Sequence, residues 1–503
     1  MKKYIINFVL AIGLASVSSC SGDFLETVPT DSVGDVSAVS TADNLMTIIN
    51  GMHRDLYYRQ NSNQGQNGQA GIMIMMDALG EDLVFPSTGN GWYITTVRWQ
   101  DQINENGAND FYPYQFYYAL IRNANTVINL GQNATGDVTI KNKAIAEAYA
   151  YRAFCHYMLV QLYGIRYANG SNNNQLGVPI RTSLETTPKA RNTVEEVYAQ
   201  VNADLDKSIE LLTTYTGRVA KSHFDIKVVR GLKARVALTQ GNYQIAADNA
   251  KLARTLPSSD NISLMSNSTY TSGFNTLSNS EWMWGSYIVA DQTDYFGNYG
   301  AYMSRNYNST NIRTAPKAIN KLLFQKFPAT DVRTKNFDPT GQHTALGLPS
   351  NFAKFAYTSQ KFLAVSTSDS RCDVPLMRLA EMYLIEAEAL ARIPGKEADS
   401  RVIFNQFMLN RNPSYVASSN TGTAYINEIL DSRRIELWGE GFRFLDLKRL
   451  NLPLDRGTSA TTNHSATVVN NVYSVPVGDK RWQYLIPKAE IDASNGLVQQ
   501  NPL

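Results

Sequence analysis

Cysteine is nearly absent from this 503-residue chain, with only Cys20, Cys155 and Cys372. Two cysteines beyond the first segment cannot build a disulfide framework. Cys155 lies in a strongly apolar helical stretch, where a cysteine acts as a small buried hydrophobe. Histidine is also sparse. His53, His156, His223, His343 and His464 are scattered, and none stands at helical ligand spacing from another histidine or cysteine, so no metal motif is legible. Charged residues make up 18%, with a formal net charge of +2. That balance gives no broad basic field for nucleic acid. No glycine-rich phosphate loop joins a strand to a helix, and no Gly-x-Ser-x-Gly elbow occurs. Beyond the first residues, no stretch approaches the ~20 apolar residues of a membrane helix.

What is present starts at Met1. Lys2 and Lys3 precede an apolar run, Tyr4 to Leu14, too short to span a bilayer, and Ser16, Ser18 and Ser19 lead to Cys20. This is the pattern of a secretory leader, and it resembles a bacterial lipoprotein signal in which Cys20 accepts the lipid. Residues 1–19 are therefore read as a signal peptide and 20–40 as a Ser-, Thr- and Asp-rich tether.

Residues 41–503 read as one domain: a helical part over 41–256, a loop-rich insertion over 257–370, and a second helical part with an irregular tail over 371–503. Apolar periodicity predicts helices over 41–58, 72–79, 111–130, 140–163, 193–212, 225–239, 243–256, 374–391, 397–409, 424–438 and 442–450. Thr193 with Glu196 has the spacing of a capping box. The pair around Gly241, with Ala234, Leu238, Tyr243, Ala246 and Ala250, has the small-residue pattern of a tetratricopeptide unit. The fold class expected is mainly α, built from tetratricopeptide-like helix pairs with long irregular insertions. Loops this long in a compact protein are commonly functional.

Several stretches in chain order resemble the SusD/RagB family of outer-membrane nutrient-binding lipoproteins. They are Cys20-Ser-Gly-Asp-Phe-Leu-Glu26 with Pro29, Glu147-Ala-Tyr-Ala-Tyr-Arg-Ala-Phe154 with Leu159-Val-Gln-Leu-Tyr-Gly164, and Gly177-Val-Pro-Ile180. Val374 to Glu388, Arg433 to Arg449, Ile486-Pro-Lys-Ala-Glu-Ile491 and Gln499-Gln-Asn-Pro502 continue it, the 433–449 stretch being the most specific. The resemblance implies a helical fold with four tetratricopeptide-like pairs and a loop-rich ligand side. It further implies a lipid anchor in the outer membrane at the cell surface, a SusC-like TonB-dependent transporter as partner, and capture of glycans or, in some members, peptides. It implies no catalytic role and no cofactor.

Two groups of residues invite chemistry. Glu436 and Glu440 stand four apart and would share a helix face, the arrangement of a glycosidase pair. Their arginine-rich neighbourhood favours a structural network instead, with Arg433 expected to pair Glu436 and Arg443 to pair Glu440. Arg378, Glu381, Glu386 and Glu388 read the same way. The second group is aromatic. Asn90 to Asp101 carries Trp92, Tyr93 and Trp99 with Arg98, and Glu281 to Arg305 carries Trp282, Trp284, Tyr287, Tyr295, Phe296, Tyr299 and Tyr302. Sugar rings have apolar faces and hydroxyl rims, which match aromatic platforms flanked by amides and charges. The family's ligand loops fall at these two places. The expected ligand residues are Asn90, Trp92, Tyr93, Arg98, Trp99, Asp101, Trp282, Trp284 and Tyr299. If Trp282 and Trp284 alternate along a strand they share a face, and that face is either platform or core. Aromatic loops serve peptides equally well, so peptide capture stays open, as do the less favoured readings of a glycoside hydrolase and of a pure interaction scaffold.

Overall fold

The computed structural model describes residues 39–502 except 216 and 258. The leader, Cys20 and most of the tether therefore lie outside the described residues. The chain is mainly α, and no described helix is long and apolar enough to cross a membrane.

Eleven longer helices carry the architecture among the described residues: α1 (Ala42–Asp55), α2 (Gly68–Ala78), α3 (Ala108–Leu130), α4 (Val138–Tyr163), α5 (Val194–Leu212), α6 (Ile226–Gln240), α7 (Tyr243–Thr255), α8 (Leu379–Arg392), α9 (Glu397–Arg411), α10 (Gly422–Glu436) and α11 (Arg443–Leu450). They pack as successive neighbours: α3 on α4, α4 on α5, α6 on α7, α7 on α8, and α8 on both α9 and α10, with α1 laid across α4. α5 begins at the predicted capping box, where Glu196 N–H donates to Thr193 Oγ1 (3.2 Å) and Thr193 N–H donates to Glu196 Oε2 (2.8 Å). Gly241 ends α6 at φ 74°, a left-handed turn that glycine makes without a Cβ penalty. The buried alanines 246, 247, 250 and 253 then let α7 lie close against its neighbours. α4 is buried nearly all round from Ala144 to Tyr163 and runs through the core, with Cys155 fully buried in it.

The predicted helix at 374 starts later than its pattern suggests. Val374–Arg378 is a strand, β6, paired antiparallel with β2 (Trp282–Ser286), and α8 begins at Leu379. Pro375, which cannot donate a ladder bond, and the partner strand carrying two tryptophans override helical periodicity here. A four-stranded antiparallel sheet, in the order β1 (Leu83–Val84), β3 (Ala318–Ile319), β5 (Thr358–Ser359), β4 (Phe337–Asp338), ties the insertion to the chain after α2. A last pair, β7 (Leu454–Asp455) with β8 (Ser474–Val475), orders part of the tail.

A buried ionic cluster locks these parts together. Arg378 at the end of β6 meets Glu281 (2.5 Å), Glu436 (2.8 Å) and Glu440 (2.7 Å). Arg411 at the end of α9 meets Glu281 (2.7 Å) and Glu436 (3.1 Å), and Lys361 reaches Glu440 (2.6 Å). The expected network is present but the partners differ: Arg433 pairs Asp446 (2.8 Å) and Arg443 pairs Glu81 (2.5 Å). Gly439 and Gly441 turn the chain after α10 and face the two glutamates toward residues distant in sequence. Glu381, Glu386 and Glu388 pair Arg235, Arg254 and Arg449.

Candidate functional site

Three loops beside the β2–β6 pair meet at one place on the surface. The first, residues 57–66, leaves the end of α1 and closes on itself through Gln60 N–H to the Gln66 carbonyl (2.6 Å) and Asn63 N–H to the Gln60 carbonyl (2.9 Å). Asn61 and Ser62 take the left-handed conformation that this tight path demands. The second, residues 86–93, leaves β1; its Ser87 hydroxyl donates to the Thr314 carbonyl (2.6 Å). The third, residues 287–297, follows β2, and the Asp294 side chain accepts from Phe296 N–H (3.0 Å) to shape its tip.

These loops are stitched to one another. The Tyr57 hydroxyl donates to Gln292 Oε1 (3.1 Å), and Arg59 forms an ion pair with Asp294 (2.8 Å). The Tyr93 hydroxyl donates to the Gly65 carbonyl (2.7 Å). Trp92 lies over Gly65, where an added Cβ would stand 3.1 Å from the indole, and its ring meets Tyr302 edge-on at 5.9 Å. From behind, the Ser370 hydroxyl donates to the Tyr295 carbonyl (2.7 Å), and the neighbouring Arg371 is paired with Asp369 (2.6 Å).

The result is a set of exposed aromatic side chains on braced backbone. Phe296 is 62% exposed, Tyr287 57%, Tyr58 47% and Tyr295 37%, while Trp92 is half-buried and Asn90 exposed. Around them stand Gln292, Asp294, Asp369 and Arg371, which supply amide, carboxylate and guanidinium groups. A surface of this kind can stack on the apolar face of a ring and hydrogen-bond its polar rim.

The two expected regions thus contribute to the surface, but most of the individual residues do not. Trp99, Trp282, Trp284 and Tyr299 are fully buried. Trp99 Nε1–H donates to the Leu79 carbonyl (3.0 Å) and its ring packs edge-on against Trp482 (4.8 Å) and Phe444 (5.8 Å). Trp284 donates to the Ser222 carbonyl (3.2 Å) and lies between Phe154 and Phe224. The Tyr299 hydroxyl donates to the Gly439 carbonyl (2.5 Å). None of these rings offers a face to a ligand; all four are core, Trp282 and Trp284 because both faces of β2 are covered. Tyr93 is buried as a brace rather than a platform. Asp101 is also buried and accepts from the Thr96 hydroxyl (2.5 Å) and Asn109 (3.1 Å). Arg98 is spent on the carbonyls of Thr467 and Val468, each at 3.0 Å. Glu436 and Glu440 are buried and fully ion-paired, not paired carboxylates in a cleft. Tyr58 was not expected; it follows a helix end, where an aromatic gives no sequence signal of exposure.

Two family models divide the chain between them. The SusD family model matches residues 237–503, and a second, described as starch-binding associating with outer membrane, matches residues 23–238. The chain belongs to the SusD family. The two matches meet inside α6, so together they cover one continuous helical array. Among curated relatives of this SusD-family protein is SusD-like protein P2 of Formosa agariphila, 24% identical over 541 residues and covering 100% of both chains. Among solved structures, a SusD-like carbohydrate binding protein from Bacteroides vulgatus superposes with a TM-score of 0.78 at 24% identity, over 91% of this chain and 97% of that one. Surface glycan-binding protein A from Bacteroides thetaiotaomicron, solved in complex with laminarihexaose, superposes with a TM-score of 0.69 at 16% identity, over 92% and 99%. These likenesses establish the SusD-like fold.

Proposed function

We propose that this SusD-family protein captures glycan on the surface formed by loops 57–66, 86–93 and 287–297, and passes it to a SusC-like TonB-dependent transporter. It does so by binding, without turnover. In this reading Cys20 carries the lipid that anchors the chain in the outer membrane at the cell surface. The observation that carries the reading is the exposure of Tyr58, Trp92, Tyr287, Tyr295 and Phe296 on backbone held by the Tyr57–Gln292 and Arg59–Asp294 contacts. Exposed aromatics on floppy loops would lose ordering entropy on binding; these are pre-ordered, which favours affinity. Family membership supports the role, and a solved relative holds a laminarihexaose.

The test is calorimetric titration of the purified protein against a polysaccharide panel that includes laminarin, with a peptide digest alongside. Binding to one glycan class, with the glycan recovered unchanged, is the expected result. Binding to peptides alone would overturn the ligand class, and conversion of the glycan would overturn the non-catalytic role.

A further inference from the structure

His53, Glu147 and His223 are far apart in sequence, yet the fold brings them to one point among the described residues. His53 sits in the last turn of α1, Glu147 in the buried stretch of α4, and His223 in the connection leading to α6. Their side chains are only 9%, 3% and 8% exposed. His53 Nε2 lies 3.2 Å from His223 Nδ1 and 3.3 Å from Glu147 Oε2, and His223 Nδ1 lies 2.9 Å from Glu147 Oε1.

Those separations are the edges of a small polyhedron. Donors bonded to zinc at ~2.0–2.2 Å in a tetrahedron stand about 3.3 Å apart. The distance between the two imidazole nitrogens, and the distance from each to its own Glu147 oxygen (Oε2 for His53, Oε1 for His223), fall within a few tenths of an ångström of that value. Two of the three residues are also held from outside. His53 Nδ1 lies 2.5 Å from the Tyr151 hydroxyl, and Phe224 N–H donates to Glu147 Oε2 (3.1 Å). Outer partners of this kind fix the ring orientation of ligating histidines and aim the other nitrogen at the ion. The Arg218 guanidinium donates to the His223 carbonyl (2.9 Å), and its charge is taken by Asp260 (2.6 Å).

We infer that His53 Nε2, His223 Nδ1 and the Glu147 carboxylate form a three-residue site for a divalent ion of the zinc class. Two imidazoles with one carboxylate suit zinc and its transition-metal neighbours; calcium and magnesium take oxygen donors. The ion would tie α1, α4 and the connection at residue 223 together directly under β2, where Trp284 already bonds the Ser222 carbonyl. It would thereby fix the base of loop 57–66, which leaves the end of α1.

Without an ion the same atoms can satisfy one another, with Tyr151 donating to His53 and both remaining ring N–H groups donating to Glu147. The experiment separates the two. Protein without an affinity tag is stripped with chelator and titrated with Zn²⁺ alone, with metal content measured by mass spectrometry. One ion per chain, a Kd below about 1 μM and a raised melting temperature are expected. His53→Gln and His223→Gln should each weaken binding at least about 100-fold, and Tyr151→Phe about tenfold, with circular dichroism unchanged. No stoichiometric uptake, or undiminished uptake by His223→Gln, would overturn the site. If the histidine variants fail to fold, the wild-type protein loaded with Co²⁺ decides: intense visible bands of a four-coordinate ion support the site, and the weak bands of the aqueous ion overturn it.

Discussion

Asp110, near the start of α3, is fully buried, and neither of its carboxylate oxygens finds a protein hydrogen-bond partner. Burial, with the negative charges of Asp101 and Glu105 nearby, raises its carboxyl to about 9. In the unfolded chain an aspartate titrates near ~3.9. The unfolded state therefore gives up this proton at pH above about 4 while the folded state keeps it until about 9, so the group costs stability increasingly as pH rises through that window. Asp110→Asn removes the titration. Thermal melts should show little difference between variant and wild type at pH 4 and a gain of several degrees for the variant at pH 8; an equal difference at both would contradict the account. The same scale shows what sequence could not supply. Trp92 and Trp99 stand in one aromatic, polar-flanked stretch, and nothing in their spacing separates the half-exposed ring from the buried one. Burial of Trp99 is decided by Phe444 and Trp482, which arrive from the other end of the chain.

At the scale of elements, periodicity marked the helices well, because each buries an apolar stripe against a sequence neighbour, as α6 does against α7. It failed where a distant partner decides, as at Val374–Arg378, and it left the pairing in the 433–449 stretch misassigned. Glu436, at the end of α10, illustrates why that pairing matters. Burial acts to raise its carboxyl, but Arg411, Arg378 and Arg333 outweigh it and hold it far below the ordinary range. Asp446 in α11 is likewise held at about 2, against burial, by Arg433 and Arg449. Groups depressed in this way stabilise the fold above their unfolded values and lose that contribution as pH falls from about 4 toward 2. Glu436→Gln leaves Arg378 and Arg411 short of a counter-charge in the interior, and removing one partner of a buried pair costs about 3–5 kcal/mol. Denaturant unfolding at neutral pH checks this; a loss below about 1 kcal/mol would mean that the remaining glutamates compensate.

At the scale of the molecule, one half of the chain supplies the early helices and two of the site loops, and the third loop comes from the insertion that follows α7. The β2–β6 strands and the Glu281–Arg378–Glu436 ion pairs bind that insertion to the later helices, so the loop surface rests on a rigid base. Family and fold class were legible because their motifs lie in the packed helices. The surface proposed above to bind glycan draws on the expected regions but not on most of the expected residues, since its exposed side chains are set by contacts among loops. The most direct measurement titrates the glycan that binds the wild-type protein into Trp92→Ala and Phe296→Ala, with Leu409→Ala, an exposed side chain of α9, as control. Both loop variants should bind at least about tenfold more weakly, with the Phe296→Ala melting temperature and the Leu409→Ala affinity unchanged. Wild-type affinity in both loop variants would contradict the account and move the binding surface elsewhere on the molecule.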